Sequence, residues 1–197
     1  MLYPLSYARS RTQCRHGMHI AILGDTHFPR RGSALPDACV AECRAADLVI
    51  HTGDLADAAA LRALRAVGPP VLAVNGNADH PAVKGDLPAT AEVDLPGGRR
   101  LGLVHNGGAE AGRLARLRAR FPGCDVVVFG HSHIPLLAAA PDGFMILNPG
   151  SATDRRRQPR HSMAVLTARA HGPLSVRFVD LDSGGADLDP DLVRSAA

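Results

Sequence analysis

Three stretches decide the fold: HIAILGD at residues 19–25, DLVIHTGD at 47–54 and VLAVNGNAD at 71–79. Each is a short, unbroken apolar run that stops on Gly-Asp or Gly-Asn. Between them lie two segments with helical apolar spacing. One covers about 34–46, with Ser33 offered as its N-cap; the other covers about 57–66 and is ended by Pro69-Pro70. Alternating strands and helices, with no polar face on the strands, predict a parallel sheet covered on both sides.

Working outward, the second half of the chain is richer in hairpins. After a loop rich in Pro and Gly, residues 91–95 and 99–105 flank a Pro-Gly-Gly turn. A basic amphipathic helix over about 109–120 precedes the strand at 125–130. Short strands follow at about 136–140 and 143–147, then a last hairpin at 162–168 and 174–181. This predicts one domain with two packed sheets over residues 18–182. Residues 1–17 read as a disordered extension, with Met18 as a natural start, and 183–197 as a tail.

Composition excludes several classes. The chain has 197 residues, long enough to bury a sizeable core, and its 46% hydrophobic and 21% charged content excludes a disordered or fibrous protein. Trp is absent and aromatics reach only 4%, too few for base-stacking platforms. The charge of +3 rests almost wholly on Arg, with Lys84 the single lysine, so no specific nucleic-acid binding is expected. No apolar run approaches the ~18 residues that span a bilayer, and residues 1–17 lack the apolar core of a signal peptide. A cytoplasmic protein is expected, without membrane association. Cys14, Cys39, Cys43 and Cys124 form no CxxC pair, and Cys39 and Cys43 read as a buried, reduced helix face.

The ten His residues carry more information than the net charge. The first strand stops at Asp25-Thr26-His27, the second at Gly53-Asp54 and the third at Gly76-Asn77-Ala78-Asp79. The strand over 99–105 stops at His105, and the one over 125–130 at Gly130-His131-Ser132-His133. Ligand sites in α/β sheets lie beyond the carboxyl ends of strands, so these positions can meet at one rim. In an extended segment both residues of an x-separated pair point the same way, which lets Asp25 and His27, or His131 and His133, reach one site. Two Asp, one Asn and four His make seven ligands. That is too many for one tetrahedral zinc and suits two divalent ions sharing a bridging carboxylate. Such a pair activates a hydroxide and clamps the phosphoryl oxygens of an in-line displacement.

This motif series resembles that of the calcineurin-like metallophosphoesterases. The short length and Asn148-Pro149-Gly150-Ser151 are similar to the small prokaryotic phosphodiesterase branch. The resemblance runs from about Met18 to Asp180. It implies a four-layer αββα sandwich of two packed mixed sheets flanked by helices, with a dinuclear site at the strand C-terminal rim. It also implies that Asp25, His27 and His133 hold one metal, that Asn77, His105 and His131 hold the other, and that Asp54 bridges. Asp57 would lie behind them, orienting a ligand or a loop. The metals implied are manganese first, with nickel, iron or zinc as alternatives. The substrate would be a small phosphoester, and members of this kind often form homo-oligomers.

The sequence departs from the family pattern in two places. Many members have His after Gly-Asn, treated as the general acid; here Ala78 stands there, and His80 two residues on is the nearest substitute. The residue after His105 is often Gly and here is Asn106. A relative in the retromer coat is similar in fold and works mainly by binding, so a non-catalytic interaction scaffold is the alternative, as is a phosphomonoesterase or nucleotide hydrolase. His51 reads as a core or supporting His, and His16, His19, His161 and His171 as ordinary. Arg155, Arg156, Arg157 and Arg160 form a loop that is either solvated or a funnel for anionic substrates. Arg113, Arg116, Arg118 and Arg120 read as a solvent face, and Asn148–Ser151 as a turn shaping the rim.

Overall fold

Successive side chains of β1 (Met18–Leu23) point to opposite sides, and both sides are apolar. Ile20 and Ile22 face a core shared with Leu48, Ile50, Leu101, Leu103, Val126 and Val128. Ala21 and Leu23 face the other way, against Cys39, Cys43, Leu61 and Leu64 of two helices. That double burial is why the strand carries no polar alternation. The structure, a computed structural model, describes residues 17–28, 31 and 34–195; Ser33, Cys14 and the expected extension before Gly17 lie outside them.

The helices on that outer side are α1 (Asp37–Ala45) and α2 (Ala58–Arg65), joined by β2 (Leu48–His51) and followed by β3 (Val71–Ala73). Then come α3 (Pro81–Asp86), the antiparallel pair β4 (Thr90–Leu95) and β5 (Arg99–Val104), α4 (Arg113–Arg120) and β6 (Val126–Val128). The chain continues through β7 (Pro135–Ala139), β8 (Met145–Pro149), β9 (Ser162–Ala168), β10 (Ser175–Asp180) and β11 (Ala186–Asp187). One sheet has the order β11-β10-β9-β1-β2-β3, the other β4-β5-β6-β8-β7. β1, β2 and β3 are mutually parallel, as are β5, β6 and β8, while β9, β4 and β7 run antiparallel to their neighbours, so both sheets are mixed. A third apolar cluster packs Val127, Phe129 and Ile146 against Leu117 and Phe121 at α4. The layers are therefore helix, sheet, sheet, helix.

Helix α1 starts later than the apolar spacing predicts, because Pro36 stands at its N-cap. Helix α3 falls in the stretch read as loop; Pro81 opens it and the His80 ring accepts from the Ala82 amide. The stretch from Ser183, read as a tail, adds β11 to the edge of one sheet and buries Leu188 between the sheets. Arg194 then exchanges backbone hydrogen bonds with Pro135 and Leu137 of β7, at the edge of the other sheet. Its few apolar residues are interrupted by polar ones, so no period announces it. Cys39, Cys43 and Cys124 are buried free thiols.

Candidate metal centre

The carboxyl ends of β1, β2 and β3 meet those of β5 and β6 along one rim, and backbone hydrogen bonds tie their loops together. The Asp25 amide donates to Gly53 (3.0 Å), His27 to Asp54 (2.8 Å) and Gly130 to His105 (2.8 Å). The x-separated pairs do not converge by being extended, as the sequence reading assumed. Asp25, His27, Asp54, His131 and His133 all have left-handed backbones, with φ of 51°, 46°, 59°, 68° and 60°. Each such residue costs about 1 kcal/mol, which a turn made only to connect strands would avoid by using Gly.

Asp25 and Asp54 lie at the bottom, both essentially inaccessible. The Asp25 carboxylate accepts from the His131 amide (2.8 Å to Oδ2), and its Oδ1 stands 3.5 Å from His133 Nε2. Asp54 Oδ1 accepts from the Ala78 amide (2.7 Å). Its Oδ2 sits between two imidazoles, 3.8 Å from His27 Nε2 and 3.5 Å from His105 Nε2. Potential ligand atoms of Asp25, His27 and His133 lie within 4.8 Å of one another, as do those of Asp25, Asp54 and His105. The exposed Asn77 places Oδ1 2.9 Å from His105 Nε2, and the His131 ring meets the His105 ring edge-on, centroids 5.2 Å apart. All seven residues read from the strand ends are thus brought together.

The donor set suits divalent cations. His133 Nδ1 donates to the Asp154 carbonyl and His105 Nδ1 to that of Thr52 (2.9 Å), so each Nε2 is left with a lone pair aimed at the cluster. His27 Nε2 lies only 3.3 Å from His133 Nε2, with the rings stacked. Nitrogen lone pairs and carboxylate oxygens therefore face one another, and the buried His131 Nδ1 has no partner among the described residues. A convergence of electron-pair donors is what a cation stabilises. Burial, followed by the neighbouring Asp54, pushes the Asp25 carboxyl well up. Burial also pushes His27 and His131 down and His133 to about 4, which keeps the imidazoles neutral and able to ligate.

Other residues hold this geometry. Asp79 is buried and accepts from the amides of Gly76 (2.6 Å), Ala56 (2.8 Å) and Asp54 (3.2 Å), stapling the loop after β3 to the loop after β2. A Cβ at Gly76 would stand 2.1 Å from Asp54 Oδ1, so only glycine permits that approach. Asn148 donates to the Gly130 carbonyl (2.8 Å) and Ser132 Oγ (3.0 Å), and Ser151 Oγ donates to the Asp25 carbonyl (2.8 Å). His51 is fully buried beneath the rim; its Nδ1 accepts from the Gly53 amide and its Nε2 meets Thr26 Oγ1 (3.1 Å). Asp57 caps α2 by accepting from Ala60 (2.9 Å), and so fixes a helix start without reaching a donor. Asn106 closes a turn by accepting from Gly108 (2.7 Å). Arg116, Arg118 and Arg120 are exposed, as expected of a solvent face, and Arg113 is half-buried; Arg113 and Arg116 also donate to carbonyls at Gly107, Gly108, Ala109 and Ala111. His161, away from the rim, pairs with Asp182 at 2.8 Å.

Residues 18–171 match the family model described as the calcineurin-like phosphoesterase superfamily domain. The chain is 31% identical over 183 residues to a probable metallophosphoesterase of Methanothermobacter thermautotrophicus, covering 91% of this chain and 94% of that protein. Among solved structures, Vacuolar Protein Sorting 29 of Cryptosporidium parvum is similar in fold, with a TM-score of 0.71, 23% identity and coverage of 88% and 99%. Wild-type Vps29 of Entamoeba histolytica, complexed with zinc, aligns with a TM-score of 0.66 at 24% identity, over 83% and 99%. With the four layers, the two mixed sheets and the rim of carboxylates and imidazoles, these matches show that the chain belongs to the calcineurin-like phosphoesterase superfamily.

Proposed function

We propose that this protein is a metal-dependent phosphodiesterase acting on a small phosphoester, with manganese as its preferred metal. The observation that carries the reading is the convergence of donor groups at one rim: Asp25 with His27 and His133, and Asp25 with Asp54 and His105, with Asp54 Oδ2 between the His27 and His105 rings. In this reading Asp25, His27 and His133 hold one ion, Asn77, His105 and His131 the second, and Asp54 lies between them. Two divalent ions there would polarise phosphoryl oxygens and lower the pKa of the attacking water. The chain's own part is to fix tautomers through the Asp154 and Thr52 carbonyls and to keep Asp25 and Asp54 buried in register.

The general acid of many relatives has no counterpart. Ala78 uses its amide on Asp54, and the His80 ring is exposed and engaged in capping α3. Good leaving groups are therefore preferred, since a positioned acid contributes about 10²–10⁴-fold. The test is hydrolysis of bis-p-nitrophenyl phosphate by metal-stripped protein given manganese or nickel. Turnover is expected, and none with any divalent ion at full occupancy would overturn the reading. The fold by itself, shared with Vps29, also fits an interaction scaffold; the retained donors favour the enzyme. A stable partner captured by metal-free, inactive protein would favour the scaffold. We place the enzyme in the cytoplasm, in keeping with its reduced, buried thiols.

A further inference from the structure

A cavity of about 520 Å³ reaches the cluster at His27 and is lined by His27, Arg31, Asp154 and Arg156. Arg31 leans on the Asp154 carboxylate at 3.6 Å. Arg156 makes no ion pair among the described residues, and its Nη1 reaches only the His131 carbonyl, at 3.5 Å. Its backbone is left-handed (φ 50°), an uncommon state for a long side chain. Two residues earlier, the Asp154 carbonyl receives the His133 Nδ1 proton. The loop that fixes a donor imidazole therefore also aims Arg156. Arg155, Arg156 and Arg157 are all exposed, and of the three Arg156 is the one that lines the cavity.

We propose that Arg156, assisted by Arg31, is a substrate-positioning residue whose guanidinium binds the anionic oxygens of the phosphoester entering this cavity. The inference rests on the phosphoesterase reading and names how that site recognises its substrate. A planar, permanently charged fork matches a phosphate in a way an ammonium does not.

The test uses the full chain loaded with manganese and reads two quantities. Calorimetric titration with inorganic phosphate reports anion binding without turnover, and bis-p-nitrophenyl phosphate kinetics separate KM from kcat. Arg156→Ala should weaken phosphate binding and raise KM by about tenfold each, with kcat changed less, the loss of one charge-assisted pair. Arg156→Lys should recover part of this, Arg31→Ala should show a smaller effect, and Arg157→Ala none; metal content should stay at the wild-type level throughout. Wild-type phosphate affinity and KM in Arg156→Ala would overturn the proposal. So would an equal loss in Arg157→Ala, which would mark a diffuse field in place of a contact. If no ester is turned over but Arg156→Ala still loses phosphate, the anion arm stands and the phosphoesterase reading falls.

Discussion

The rim and the turns that merely connect strands solve the same backbone problem in opposite ways. Both need left-handed residues. In the connecting turns these are glycines, such as Gly97 and Gly98 between β4 and β5, Gly143 between β7 and β8 and Gly172 between β9 and β10. At the rim they are mostly not glycine: Asp25, His27, Asp54, His131, His133 and, at the cavity mouth, Arg156, with Gly53 and Ala56 on either side in the loop after β2. A connecting turn needs only to reverse the chain, so the residue without a Cβ wins. The rim must both turn and present a side chain, so it accepts strain and fastens it with the hydrogen bonds of Asp79, Asn148 and Ser151. Among the described left-handed residues other than glycine, Ala56 alone has no functional side chain, and it uses its amide and carbonyl on Asp79 and His80; the other six present a donor or a charge.

That contrast can be broken in graded steps. The largest effect is expected from Asp54→Ala, which removes the carboxylate between the two halves: activity on bis-p-nitrophenyl phosphate should fall by about 10³-fold or more, and metal content should fall with it. Metal content at the wild-type level would show that Asp54 does not join the halves. Next comes Asp79→Ala, which leaves three buried amides unpaired. Urea unfolding should report a loss of about 2–4 kcal/mol, with activity reduced because the loops after β2 and β3 lose their staple; a loss under about 0.5 kcal/mol would mean the staple is redundant.

Acidification probes the same region more gently. Burial holds His51 at about 3 and His133 at about 4, so folding favours their neutral forms. Stability of metal-stripped protein should be fully retained above pH 6.5 and fall as pH drops toward those values, by up to about 1.4 kcal/mol per pH unit for each histidine. Asp25, raised by burial and Asp54, takes its proton earlier when folded and offsets part of the loss. Denaturation midpoints that stay flat from pH 7 to 5 would contradict neutral, buried imidazoles. The smallest effects form a matched pair read by thermal unfolding. Gly143→Ala, at φ 91° with open space around the added methyl, should cost about 1 kcal/mol and leave activity unchanged. Arg156→Gly should stabilise the fold by up to about 1 kcal/mol while weakening phosphate binding.

The sequence was most informative where strands are buried on both sides. HIAIL and DLVIH stand out because helices and a second sheet leave them no polar face, and each ends where a donor is delivered. The seven donors were legible for the same reason. What held them was not: Ser151 meets Asp25 across 126 residues and Asp79 meets Ala56 across 23, partnerships with no period in the chain. The left-handed backbone of the ligands was hidden too, because Asp and His at a turn look like any polar loop. The exposed basic face of α4 is legible in its spacing, but nothing in it announces that Arg113 and Arg116 also hold carbonyls of residues 107–111. Helix α3 and strand β11 escaped because six and two residues are too short to show a pattern.

The central claim is that this rim is a two-metal centre joined through Asp54. Titration of metal-stripped protein with manganese tests it directly. Saturation at two ions per chain in the wild type, with both weakened together in Asp54→Ala, is the expected result. Saturation at one ion or none, or two ions bound equally well without the Asp54 carboxylate, would contradict it.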